Sequence, residues 1–221
     1  MANILITGAN RGIGLELARQ YAADGHEVIR AMRGVDKADP LFGTTIALDV
    51  TDEESIAKAV AGLDGEAIDL LINNAGIAGP TRQSATDMDF AGFQQVIDAN
   101  VFGPLRVTQA LLPNLRKARD AKVAVMSSRM GSLTLAQGGS VAYRTSKAAV
   151  NMAFKLLAGE LKGDGIAVAM LHPGWVRTDM GGQGADIDVR TSAAGLRKVL
   201  DGLSVANTGS FWAYDGEVLP W

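Results

Sequence analysis

Asn3-Ile4-Leu5-Ile6-Thr7-Gly8-Ala9-Asn10-Arg11-Gly12-Ile13-Gly14 is the stretch that decides the fold. Ile4–Thr7 reads as a short buried strand. Gly12–Ala23 reads as a helix, because Ile13, Leu17 and Tyr21 recur every four residues on one face. The strand feeds the helix through a turn with glycines at 8, 12 and 14, spaced G-x-x-x-G-x-G. Glycine lets the backbone turn tightly and approach a ligand closely. The free N–H groups and positive dipole end of the helix then favour an anion, most simply a pyrophosphate. Alone, such a stretch is no more than a tight turn. Between a strand and an amphipathic helix it marks the first βα unit of a dinucleotide-binding sheet.

The rest of the chain repeats the alternation. Strands are expected at Val28–Met32, Thr45–Leu48, Ile68–Ile72, Lys122–Met126, Ile166–Leu171 and Gly209–Tyr214. Helices are expected over 52–63, Phe90–Lys117, Tyr143–Lys162 and Arg190–Leu203, with Thr51-Asp52-Glu53-Glu54 as a capping box for the first. The strands are continuous apolar runs, as they are when helices cover both faces of a parallel sheet. The fold class is therefore α/β: a single doubly wound Rossmann domain over 1–221, with a mostly parallel seven-stranded sheet. Ligands in such a sheet bind beyond the carboxyl ends of the strands.

The second strand ends Val28-Ile29-Arg30-Ala31-Met32-Arg33, with no acid until Asp36. An acid at this point grips a ribose 2′-OH, whereas an arginine accommodates a 2′-phosphate. Arg33, and Arg11 in the glycine turn, therefore point to NADP(H), the alternative being that both are ordinary surface arginines. Asp49, followed by Val50, closes the third strand and is suited to the adenine amino group or to capping the next helix. Asn73-Asn74-Ala75-Gly76 ends the fourth strand with small residues against which a dinucleotide can lie.

Tyr143 and Lys147 are four apart on one helix face. A nearby ammonium is expected to lower the phenol's pKa and suit it to proton transfer. Ser128, after the fifth strand, can hydrogen-bond a carbonyl oxygen or merely cap a turn. Asn100 interrupts a helical pattern in which asparagine is a mediocre former; a solvated face would tolerate it.

Composition excludes other classes. The chain has 221 residues, 48% of them hydrophobic, and a net charge of −3, which suits neither nucleic acid nor an anionic membrane. It has no cysteine, and its two histidines, His26 and His172, are far apart, so no metal site is expected. The amino end lacks a signal-peptide pattern and no apolar run approaches a membrane span, so a cytoplasmic location is expected.

Thr7–Gly14, Asn73–Gly76, Asn100, Ser128, Tyr143-x-x-x-Lys147 and Pro173-Gly174-Trp175-Val176-Arg177-Thr178 occur in the order found in the classical short-chain dehydrogenase/reductase family. The resemblance covers essentially the whole chain. It implies a catalytic tetrad: Tyr143 as general acid/base, Ser128 positioning the carbonyl, Lys147 tuning the phenol and holding the nicotinamide ribose, and Asn100 supporting a water chain to Lys147. It implies cofactor contacts from Gly8, Asn10, Arg11, Gly12, Ile13, Gly14, Arg33, Asp49, Val50, Asn74, Ala75 and Gly76, and from Pro173, Gly174, Val176 and Thr178, the last on the carboxamide. The interval from Ser128 to Tyr143 is longer than the family's. With the stretches 127–132, 143–152, 173–182 and 215–221, it resembles the subgroup of sniffer carbonyl reductases and C-factor signalling proteins. An NADP(H)-dependent carbonyl reductase is the expected function. A signalling protein that retains dinucleotide binding is the alternative. An extended-family epimerase or dehydratase would need more chain. Met130, Trp175 and Met180, with Leu133 and Leu135 if these are not core, are expected to wall an apolar substrate pocket with Ser128 and Tyr143. The subgroup implies a monomer or homodimer rather than a tetramer.

Overall fold

A computed structural model describes residues 1–35 and 42–221. Asp36, the first acid after the second strand, lies outside the described residues. The chain runs β1 (Asn3–Thr7), α1 (Gly12–Ala23), β2 (Glu27–Met32), β3 (Thr44–Ala47), α2 (Glu53–Ala61) and β4 (Leu70–Asn73). A two-stranded hairpin, β5 (Gln83–Ser84) and β6 (Asp87–Met88), precedes α3 (Phe90–Ile97) and α4 (Gly103–Leu115). Then come β7 (Lys122–Met126), α5 (Val141–Leu161), β8 (Ala167–His172), α6 (Val189–Asp201) and β9 (Ser210–Ala213).

Seven strands form one parallel sheet in the order β3-β2-β1-β4-β7-β8-β9. The direction of winding reverses between β1 and β4, and the strand ends part there to leave a crevice. On one face β-strand residues such as Leu5, Leu71 and Val123 pack under α2, α4 and α5, through Ile56, Leu111 and Phe154. On the other, Ile4, Ile72 and Ala124 pack under α1 and α6, through Leu17 and Leu196. Alternate residues of one strand thus serve opposite cores, which is why each strand reads as an unbroken apolar run.

Two expectations need correction, and one open alternative is decided. The helix expected over Phe90–Lys117 is two helices joined by a π-helical turn, Asp98–Phe102, and it ends at Leu115. Pro104 has no N–H to give the Asn100 carbonyl four residues back, and the Gly103 N–H bonds Asp98 instead, so the turn widens. Thr51 does not cap α2. The cap is Asp52, whose carboxylate accepts from the Glu54 and Ser55 N–H groups, while Glu54 pairs with Lys58. Leu133 and Leu135 are exposed and are not core.

Candidate active site at the switch point

The crevice beside β1 and β4 holds a groove of about 530 Å³. A smaller cleft, about 300 Å³, lies at the opposite, amino end of the strands, by Asn3, Glu27 and Thr44.

The glycine turn and the end of β4 build the floor of the groove. Thr7 Oγ1 accepts from the N–H groups of both Asn74 and Ala75, and the Asn74 amide donates to the Thr7 and Gly8 carbonyls. The two segments are thus latched together across the reversal. A Cβ on Gly14 would stand 2.4 Å from Asn74 Nδ2 and 2.6 Å from the Gly8 carbonyl oxygen. No side chain fits there, so the start of α1 can only come this close to the turn as glycine. Gly8 adopts φ +67°, the left-handed region that favours glycine. This backbone cradle, with α1 pointing its N-terminus across it, fits a dinucleotide pyrophosphate.

Gly8, Asn10, Arg11, Gly12 and Ile13 line one wall, and Asn74, Ala75 and Gly76 line the floor. Gly14 is buried beneath the turn. Met32, Arg33, Asp49 and Val50 line the far end. Arg33 is exposed, with its guanidinium 4.0 Å from the Asp49 carboxylate. Asp49 accepts from the Thr51 N–H and hydroxyl and caps no helix. Burial pushes its carboxyl up, but those hydrogen bonds and Arg33 outweigh burial and leave it below the ordinary value. Arg11 pairs with Asp179 across the groove mouth. Asp179 also lines the groove, although nothing about its type or spacing had singled it out.

The other end carries the titratable groups. Lys147 is buried on α5 and donates to the Met126 carbonyl at 2.7 Å. Its Nζ lies 5.6 Å from the centre of the Tyr143 ring. Burial pulls the ammonium down to about 8. Burial also pushes the Tyr143 phenol up, while its hydrogen bond with Ser128 pulls it back. The expected lowering of Tyr143 by Lys147 is not seen: in this partly desolvated site, withdrawal from water dominates. Ser128 caps the short turn Arg129–Gly131 by accepting from the Met130 N–H at 3.1 Å.

Asn100 is buried in the π-turn and faces no solvent. Its amide bonds both backbone groups of Ile77 and also donates to Ser146 Oγ at 3.0 Å. Ser146 in turn donates to the Tyr143 carbonyl. A Cβ on Gly76 would stand 3.0 Å from Asn100 Oδ1 and 3.7 Å from Lys147 Nζ, so β4, the π-turn and α5 converge on one point.

Two supporting residues had no signal in the sequence. α5 begins at a left-handed Ser140 that makes no capping bond. Gln83, from the hairpin, accepts from the Tyr143 N–H at 3.1 Å in its stead. Ser146, inside the Tyr143–Lys147 spacing, ties the helix to Asn100.

After β8, Pro173, Thr178 and Met180 line the groove. Thr178 Oγ1 accepts from the Gly181 N–H. Gly174 turns against Ile187 and Tyr214, and Val176 is buried, so both shape the loop from behind the groove wall. Ser128, Asn100, Met130 and Trp175 are not part of that wall either. Trp175 is exposed and donates to the Gly181 carbonyl; Met130 is half-buried beside Ser128.

The short chain dehydrogenase family model matches residues 2–186. The C-signal of Myxococcus xanthus is 44% identical over 155 residues, 70% of this chain and 93% of that protein. The carbonyl reductase Sniffer of D. melanogaster superposes with a TM-score of 0.93 at 32% identity, covering 100% of both chains. The NADPH-bound carbonyl reductase from chicken fatty liver superposes with a TM-score of 0.90 at 33% identity, covering 100% of this chain and 99% of that one.

Proposed function

The chain belongs to the short-chain dehydrogenase family, and we propose that it is an NADP(H)-dependent carbonyl reductase of the sniffer type. The observation that carries this reading is that Tyr143 and Lys147 line one end of a groove whose floor is the glycine cradle, with Ser128 beside the phenol. Likeness to an NADPH-bound carbonyl reductase supports the cofactor.

NADP(H), when bound, supplies a hydride to the carbonyl carbon or takes one from the alcohol. Gly8–Gly12 and the amino end of α1 hold the pyrophosphate. Arg33 and Arg11 hold the 2′-phosphate, and Thr178 the carboxamide. Ser128 Oγ donates a hydrogen bond to the carbonyl oxygen, and the Tyr143 hydroxyl gives that oxygen its proton. Lys147 steadies the resulting phenolate and binds the ribose. Asn100 fixes the Ile77 strap and Ser146, and so the start of α5 on which Tyr143 stands. A phenol pushed up by burial is protonated at neutral pH and so is in the form that can donate a proton. Met180 on the groove wall and Met130 beside Ser128 suit an apolar carbonyl substrate.

A second reading, a signalling protein of the C-signal kind that binds the dinucleotide, draws on the 44% identity. Tyr143→Phe separates the two. The substitution removes one hydroxyl, so NADPH binding should persist while turnover of ketones, aldehydes or quinones falls by ~10²-fold or more. Turnover within threefold of wild type would rule the mechanism out.

A further inference from the structure

We propose that Asn151 is a positioning residue, which fixes the Ser127–Ser128 segment so that the Ser128 hydroxyl faces Tyr143. The proposal rests on the reading of Tyr143 as proton donor and adds a residue to it.

The end of β7 is tied to α5 at three consecutive residues. The Met126 carbonyl accepts from Lys147 Nζ at 2.7 Å. Ser127 Oγ donates to Asn151 Oδ1 at 2.6 Å. Ser128 stands close enough to the Tyr143 hydroxyl to pull the phenol back down against burial. Residues 143, 147 and 151 are four apart, so the three ties descend one face of α5. Gly131 closes the same segment against the helix: a Cβ there would stand 2.7 Å from the Lys147 carbonyl carbon.

The Asn151 tie is the one with no assigned work. Its side chain is buried, and its Nδ2 has no partner among the described residues. An amide half-satisfied in the interior is a poor choice for packing, because leucine would fill similar space without an orphaned donor. What asparagine supplies here is the acceptor for Ser127. Ser127 lines the groove and is itself buried. With its hydroxyl committed to Asn151, it is withheld from the substrate, which leaves Ser128 as the serine that meets the reacting carbonyl. Its peptide is also held, since the Ser127 N–H donates to the Leu171 carbonyl at 2.7 Å. Without Asn151 the Ser127 side chain is free to seek a partner in the groove, and the bearing of Ser128 on Tyr143 loosens. Small misplacements of reacting groups are costly to the chemical step and leave binding largely intact.

The test compares Asn151→Leu, Ser127→Ala and the double variant with wild type. Each single change should lower kcat for carbonyl reduction about tenfold and leave the NADPH Kd, read by quenching of protein fluorescence, within twofold. The double variant should be no worse than the worse single, because both remove one tie. In cofactor-free protein the Tyr143 phenol, isolated by ultraviolet difference against Tyr143→Phe in each background, should titrate higher in both variants as its bond with Ser128 loosens. The proposal is overturned if kcat falls only in proportion to folded protein by circular dichroism, if the two effects multiply in the double variant, or if the phenol titration does not move. Should Asn151→Leu not fold, Ser127→Ala carries the same comparisons alone. A wild-type protein that reduces no carbonyl would defeat the functional reading, while the phenol titration would still decide the role of Asn151.

Discussion

Cofactor choice can be worked from the groove's far end. Arg33 follows Met32, the last residue of β2, and its side chain is 78% exposed. A charge-assisted hydrogen bond to the 2′-phosphate is worth ~1.5–3 kcal/mol. Exposure puts Arg33 at the lower end, because two charges 4 Å apart gain only about 1 kcal/mol in water and about 4 at an effective dielectric of 20. The Asp49 carboxylate, 4.0 Å away, draws off part of the charge. About 1.5 kcal/mol remains, or roughly tenfold. Arg33→Ala should therefore cut kcat/KM with NADPH about tenfold and leave NADH nearly unchanged. Arg11 preserves some preference in that variant. Its exposed bond to Asp179 is worth about 0–1 kcal/mol, less than a phosphate contact returns, so Arg11 can leave its partner.

Reversal needs a ribose partner as well. Met32 lines the groove where an acid would grip the 2′-OH and repel a phosphate. Met32→Asp with Arg33→Ala should weaken or reverse the preference. Met32 is 2% exposed, so the variant's fold is checked by circular dichroism. The assay is initial rate against each nucleotide at ~0.1 M salt, where screening acts over about 10 Å. The reasoning fails if wild-type protein uses NADH as well as NADPH, or if the double variant leaves the ratio of kcat/KM values unchanged.

Two further outcomes concern pH. Lys147 titrates at about 8, below the usual lysine value, so its charge is present below that pH and lost above it. The rate of carbonyl reduction should fall above about pH 8; a reduction rate flat to pH 10 would remove the ammonium from the mechanism. His172 is pulled down to about 4 by burial and by the Arg129 charge, with Asp215 opposing. The unfolded chain, with a histidine near 6.5, takes up that proton first. Stability from neutral His172 is thus complete above pH 6.5 and declines as pH falls toward 4, by up to about 3 kcal/mol. Urea midpoints from pH 7 to 4.5 should show the decline, and His172→Gln should flatten it; an equal slope in the variant would refute the assignment.

What could be read ahead of the structure was what local pattern controls. Gly12–Ala23 and Lys122–Met126 lie where periodicity and apolar runs put them, because each buries one face or both against the sheet. The helix across 98–102 looked continuous because its apolar residues persist through the π-turn; the absent N–H of Pro104 was the cue to a break. The hairpin 83–88 carries no apolar alternation, only two-residue strands, and Gln83 reaches Tyr143 across 60 positions. Spacing found Tyr143 and Lys147 on one face but could not weigh their burial, which reverses the expected shift of the phenol. Arg11 was legible as a cation by a phosphate site, whereas its pairing with Asp179 depends on how the loop after β8 folds back.

The cost of the site bears on enzyme against binding protein. Dinucleotide binding needs the glycine cradle and the Thr7–Asn74 latch, which lie at the carboxyl ends of β1 and β4. Of the buried titratable pair it needs only Lys147, for the ribose, although burial pulls that ammonium down to about 8. It does not need a phenol that burial pushes up beside Ser128. Burying such groups weakens a fold unless something offsets it. The Met126 carbonyl offsets only part for Lys147. A protein that kept the groove only to hold a nucleotide would be more stable with an apolar side chain at 143. Keeping Tyr143, with Asn100, Ser146 and Gln83 spending their hydrogen bonds on its end of α5, makes sense where a proton has to be delivered into the groove.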